Sequence, residues 1–136
     1  MPRFLEFCKK QSVIGNVSEP GKKECMKINE KLVRALAFKN MKIAAAESCT
    51  GGAPASAIVD ISGASSVLEY SAVTYSDRMK SVLLGVEEKL IAEKTAVSSE
   101  VAAKMAQGIR RISGADIGIS TTGYAGPGGS DIGLVY

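Results

Sequence analysis

The sequence predicts an α/β fold, a layered α/β/α sandwich around a mixed sheet. Short apolar runs with strand character alternate with segments of helical period, which is the pattern of a sheet covered by helices. The run at 115–121 carries Ile117, Gly118 and Ile119 and is expected to be buried on both faces. A chain of 136 residues, 46% hydrophobic and 23% charged, suits one domain with a substantial core.

Residues 1–23 mix Pro2, Gly15, Asn16, Pro20 and Gly21 with two apolar patches: Phe4, Leu5 and Phe7, then Val13 and Ile14. They read as an irregular N-terminal extension to a domain at 24–136. A helical period starts at Glu24 and places Ile28, Leu32, Val33, Leu36 and Ala37 on one face, with Asn40 as its stop. A strand at 41–46 follows and breaks into Glu47-Ser48-Cys49-Thr50-Gly51-Gly52, after which 55–61 reads as a helix. Residues 62–66 form a loop and 67–75 a strand, with Ser76 and Asp77 capping a helix at 78–84 that Gly85 ends. A short amphipathic helix occupies 87–93.

Ser98 or Ser99 caps the clearest helix, with Glu100 in its first turn and Val101, Met105, Ile109 and Ile112 as its buried stripe. Gly114 stops it, and the strand 115–121 leads into a glycine-rich loop at 122–130. A last strand at 132–136 ends the chain. An α/β sheet seldom closes on a half-length strand without a covering helix, so the domain is expected to be C-terminally incomplete.

Composition excludes several classes. A net charge of +3 is too mild to argue for direct nucleic-acid binding, and no apolar run is long enough to span a membrane. The first ten residues lack a signal-peptide core. Cys8, Cys25 and Cys49 are odd in number and lack metal-ligand spacing, so a reduced, cytoplasmic protein is expected. No histidine is present, which rules out a Ser-His-Asp triad and any histidine metal site within this chain. The Walker, dinucleotide-binding and α/β-hydrolase signatures are missing as well.

Ser48 stands out as a hydroxyl at a strand-to-helix turn, beside glycines whose backbone a ligand can approach closely. Without histidine, a general base must be Lys, Tyr, Asp, Glu or a thiolate. Lys80 is either a solvated surface lysine or, if neutral, the base for Ser48 with Tyr75 as orienting or relay group. Burial or a neighbouring cation favours a neutral lysine. Cys49 is a small buried hydrophobe or a rival nucleophile. Glu47 binds a ligand or hydrogen-bonds turn amides. The amides of Gly126, Gly128 and Gly129 form an anion nest or belong to a plain connection. Because ligands gather beyond the carboxyl ends of parallel strands, the Ser48 turn and the 122–130 loop are expected to share one crevice.

Ala46-Glu47-Ser48-Cys49-Thr50-Gly51-Gly52, then Val73-Thr74-Tyr75-Ser76 with Lys80, resemble the CinA carboxy-terminal domain family. Leu84-Gly85-Val86, Ala96-Val97-Ser98, Thr122-Gly123, Ala125-Gly126-Pro127 and Gly133-Leu134-Val135-Tyr136 continue the match in the same order. The resemblance implies an amidohydrolase of pyridine nucleotide salvage, converting nicotinamide mononucleotide to nicotinate mononucleotide and ammonia. It implies a Ser-Lys-Tyr site at Ser48, Lys80 and Tyr75, with no metal or cofactor required. Glu47, Thr50, Gly51, Gly52, Thr122, Gly123 and Gly126 are the expected substrate-binding positions. Of these, Thr50, Gly51 and Gly52 are read from the turn as oxyanion or ligand contacts.

The family pattern has Gly at the position of Thr95 and Ile at that of Tyr124. It also continues beyond the strand at which this sequence ends. The expected partner is a small pyridine nucleotide, and apolar surface left by a short sheet favours a homodimer. The alternative function is a noncatalytic nucleotide-binding or interaction module, since members of the family are also fused to other domains and linked to DNA uptake or damage responses.

Overall fold

The computed structural model describes residues 26–125 and 135–136. In chain order the elements are α1 (Ile28–Phe38), β1 (Ile43–Glu47), α2 (Ala53–Val59), a 3-10 turn (Ala64–Ser66) and β2 (Leu68–Val73). Then follow α3 (Asp77–Leu84), α4 (Glu88–Lys94), α5 (Ser99–Ser113) and β3 (Ile117–Thr121). The extension at 1–23 and most of the final strand at 132–136 lie outside the described residues.

The strand order is β2-β1-β3, and both pairings of β1 are parallel. Parallel strands of one sheet need crossover connections, which α2 supplies between β1 and β2, while the three later helices carry the chain from β2 across to β3 on the other side of β1. Among the described residues, the mixed character expected of the sheet rests on one isolated antiparallel bridge, Gly123 with Val135. Beside it, Thr122 N donates to Tyr136 O at 3.0 Å and Tyr136 N to Thr122 O at 2.8 Å.

Every residue of β1 is buried. Its side chains alternate between faces, as strand geometry requires. Ala44 and Ala46 join Leu84, Val86, Val101, Met105, Ile109 and Ala115 in one core. Ile43 faces the other way and joins Val33, Leu36, Ile58, Ala64 and Val67. The two clusters are the two helix–sheet interfaces of the sandwich.

The local signals acted as expected at the caps. Ser76 Oγ accepts from Met79 N at 3.2 Å and Ser98 Oγ from Val101 N at 3.3 Å, so Ser98 rather than Ser99 caps α5. Gly85 and Gly114 close α3 and α5 with φ of +72° and +71°. Gly108 answers a different need. A Cβ built there would lie 2.2 Å from Leu84 O, so glycine is what lets α5 press against the end of α3.

Three burial expectations are corrected. Ile112 is 42% exposed, because Val101, Met105 and Ile109 already fill the face that α5 turns to the sheet. Ile28, at the first position of α1, is 82% exposed and Ala37 is exposed too, since only the middle of the helix reaches the core through Val33 and Leu36. All five residues of β3 are half-buried rather than buried on both faces, because among the described residues β1 is its only neighbour in the three-stranded sheet.

The register levels the strand ends. Glu47 pairs with Val73 on one side and Thr121 on the other, so the segments after all three strands emerge together.

Candidate active site

At that common edge lies a cavity of about 600 Å³, walled by Ser48, Cys49, Thr50 and Gly51, by Tyr75, Asp77 and Lys80, by Ala96 and Val97, and by Thr122, Gly123, Tyr124 and Ala125. Ser48, Tyr75 and Lys80 thus line one cavity, together with Thr50, Gly51, Thr122 and Gly123. Gly126 and the rest of the glycine-rich loop lie outside the described residues.

Ser48 follows the last residue of β1 and is 7% exposed. The chain turns at once, with Gly51 N donating to Ser48 O at 3.1 Å and Ala53 N to Thr50 O at 3.2 Å. Gly51 and Gly52 take φ of +59° and +109°, a region that L side chains avoid and that fixes these two positions as glycine. Pro54 lies in the first turn of α2, where its missing N–H costs no hydrogen bond.

Two expected ligand groups turn inward instead. Glu47 and Gly52 do not line the cavity. The Glu47 carboxylate is fully buried, and its Oε2 accepts from Gly52 N at 2.7 Å and Thr50 Oγ1 at 2.9 Å. Its Oε1 accepts from Ala55 N and Ser71 Oγ, each at 3.2 Å. The amides of Gly51 and Gly52 are therefore both engaged, which leaves Cys49 and Thr50 as the remaining amide donors of the turn. The Thr50 hydroxyl also lies 2.6 Å from Thr121 Oγ1, tying the turn to β3.

Lys80 is 1% exposed, so of its two sequence readings the surface lysine is set aside. Its Nζ donates to Tyr75 O at 3.1 Å and to Asp77 Oδ1 at 3.5 Å. Asp77 is three residues earlier on α3, and that spacing puts the two side chains on one face. Tyr75 meets Lys80 through its carbonyl, while its side chain stands out at the cavity rim in a residue 74% exposed.

Burial raises the Cys49 thiol above its ordinary pKa, against the backbone amides of Cys49 and Thr50 and the positive charge of Lys80. At neutral pH Cys49 is therefore a protonated thiol, and a weak rival to Ser48 as nucleophile. Thr122 is 1% exposed and spends its hydroxyl on Ala96 O at 2.8 Å, so it holds two walls of the cavity together. Among the described residues no group of His, Cys, Asp or Glu could hold a metal ion.

Sequence reasoning missed Asp77, Ala96 and Val97 as wall residues. Asp77 was legible through its three-residue spacing to Lys80 but was read as a cap. The place of Ala96 and Val97 depends on long-range packing that no local pattern carries.

Comparison with known proteins agrees with this architecture. A protein of Clostridium botulinum strain Langeland, named as competence-damage inducible, is 48% identical over 113 residues, covering 80% of this chain and 28% of its own length. The chain thus spans under a third of that relative. A crystal structure of a competence-damaged protein (CinA) superfamily protein from Enterobacter cloacae superposes with a TM-score of 0.78 at 32% identity, over 89% of this chain and 76% of that one. A competence damage-inducible protein A from Klebsiella pneumoniae gives a TM-score of 0.76 at 35% identity, over 79% of this chain and 69% of that one. Residues 25–136 match the model of the CinA C-terminal domain, and the chain belongs to that family.

Proposed function

We propose that this chain is an amidohydrolase that deamidates nicotinamide mononucleotide to nicotinate mononucleotide and ammonia. The observation that carries the reading is a nearly solvent-free lysine, Lys80, lining the same cavity as Ser48 in a chain without histidine. The cavity volume of about 600 Å³ falls within the range of roughly 300–1,000 Å³ usual for small-ligand sites.

In this reading Ser48 Oγ bonds to the carboxamide carbon as its proton passes to Lys80 Nζ, with Tyr75 as relay. The negative charge that develops on the carboxamide oxygen is met by the amides of Cys49 and Thr50 in the turn. The tetrahedral adduct then collapses with cleavage of the C–N bond. The proton moves from Lys80 to the departing nitrogen, which leaves as ammonia. Water attacks the Ser48 ester as Lys80 takes one of its protons, the ester C–O bond then breaks as Lys80 returns that proton to Ser48 Oγ, and the acid product leaves as its carboxylate, its proton going to solvent. Ammonia release from nicotinamide mononucleotide, lost in Ser48→Ala, tests the reading; a folded wild type that releases none overturns it.

The exposed Tyr75 favours a second reading, a noncatalytic nucleotide-binding module in which that ring stacks on a ligand rather than moving protons. Binding of nicotinamide mononucleotide without turnover, unchanged in Ser48→Ala, would select it.

A further inference from the structure

A buried carboxylate is costly to hold in a protein unless every lone pair it presents is met. Glu47 is 0% exposed, and among the described residues no lysine or arginine forms an ion pair with it. Four neutral donors take that place: two backbone amides, Gly52 and Ala55, and two hydroxyls, Thr50 and Ser71. They come from three separate pieces of chain. Thr50 and Gly52 belong to the turn after Ser48, Ala55 to α2, and Ser71 to β2.

The main chain of the same residue is fixed as well. Glu47 O accepts from Thr74 N at 2.7 Å, and β1 holds the residue in register with Val73 and Thr121. Ser48 is its immediate neighbour. The side chain that binds the far end of the turn and the backbone that launches Ser48 therefore belong to one rigid residue.

Resting on the amidohydrolase reading above, we infer that Glu47 is the positioning residue of the nucleophile: its carboxylate fixes the 48–52 turn and so sets where Ser48 Oγ and the amides of Cys49 and Thr50 point. It does this from behind the cavity wall, without touching the substrate. Glutamine is the discriminating replacement, because it keeps the size of Glu47 but turns one acceptor oxygen into an NH2 donor. Whichever way the amide is placed, one backbone amide, Gly52 N or Ala55 N, then faces another donor, while the hydroxyl beside it, Thr50 or Ser71, can rotate to accept. The turn loses its Gly52 tether, or the start of α2 its Ala55 tether, while the core keeps its volume.

Loss of position acts on the chemical step more than on binding, and a displacement of about 1 Å costs on the order of 10²-fold in rate. The test measures ammonia release from nicotinamide mononucleotide in wild type, Ser48→Ala, Glu47→Gln and Gly108→Ala. Gly108→Ala weakens the fold at a contact with Leu84, neither residue lining the cavity, and reports what lost stability alone does. Rates are taken where each variant is folded, beside amide hydrogen exchange at Gly52 and Ala55. The expected result for Glu47→Gln is a fall of about 10²-fold in kcat with little change in KM, faster exchange at Gly52 or at Ala55, and a wild-type kcat in Gly108→Ala.

A wild-type kcat in folded Glu47→Gln overturns the inference, as does unchanged exchange at Gly52 and Ala55. A kcat loss shared by Gly108→Ala also overturns it, by assigning the effect to stability. A folded wild type that releases no ammonia overturns the amidohydrolase reading instead, and exchange at the two amides then decides whether Glu47 fixes the turn.

Discussion

Lys80 Nζ lies 3.5 Å from Asp77 Oδ1, pairing a lysine side chain that is 2% exposed with a carboxylate that is 60% exposed. The lysine is committed to the interior of the cavity wall, whereas the aspartate reaches solvent. The two partners should therefore respond differently to mutation. Asp77→Asn removes a largely hydrated charge and is expected to cost less than about 1 kcal/mol of stability. Lys80→Met keeps the buried stem and deletes the amine. It is expected to leave a folded protein with turnover reduced by about 10²- to 10⁴-fold. Urea titration beside ammonia release checks both, and an active Lys80→Met protein would remove lysine from the mechanism.

Cys49 offers a reporter of the same wall. Burial raises its pKa above the ordinary thiol value, so the folded state holds its proton to higher pH than the unfolded state does. In a Cys8→Ser, Cys25→Ser background, alkylation by iodoacetamide should be slow at neutral pH. It should rise only above the pH at which an unfolded thiol reacts, because the thiolate is the reactive form. The matching linkage has a fixed sign. This contribution to stability is fully present below the unfolded thiol pKa and is lost as pH rises through the folded one. Alkylation of native protein that tracks the urea-unfolded profile would contradict the assigned burial.

Gly108 tests the packing of α5 against the end of α3. Replacing glycine by alanine inside a helix normally gains up to about 1 kcal/mol. Here the added methyl would sit 2.2 Å from Leu84 O and 2.8 Å from Leu84 Cβ, so α5 must move away from α3. Overpacking of this kind costs about 1–3 kcal/mol and should win. A lower urea midpoint for Gly108→Ala is expected, and a higher one would show that α3 and α5 separate freely.

Much of this architecture was legible because it rests on short-range chemistry. Ser76, Gly85, Ser98 and Gly114 mark helix ends through hydrogen bonds and backbone angles that a few neighbouring residues decide. The Ser48 turn was legible for the same reason, its two glycines adopting positive φ. Burial was less legible. Ile28 and Ile112 carry the right residue type and spacing for a buried stripe, yet whether anything packs on them depends on the ends of other elements. Glu47 shows the limit most clearly. Its spacing to Gly52 was visible, but the choice between ligand and turn amides depended on Ser71, which β2 delivers from 24 residues away.

Thr122 joins the walls in a way that one methyl can probe. It is 1% exposed, donates from Oγ1 to Ala96 O at 2.8 Å, and exchanges backbone hydrogen bonds with Tyr136. Thr122→Val keeps the shape but leaves the Ala96 carbonyl without that donor, a loss worth about 1–3 kcal/mol in a buried setting. Thr122→Ser restores the hydroxyl and should recover most of it. Because Ala96 and Val97 form wall rather than machinery, the valine variant should raise KM for nicotinamide mononucleotide more than it lowers kcat. Steady-state kinetics on both variants decide the point. A fall in kcat at unchanged KM would instead place Thr122 in control of the reacting groups.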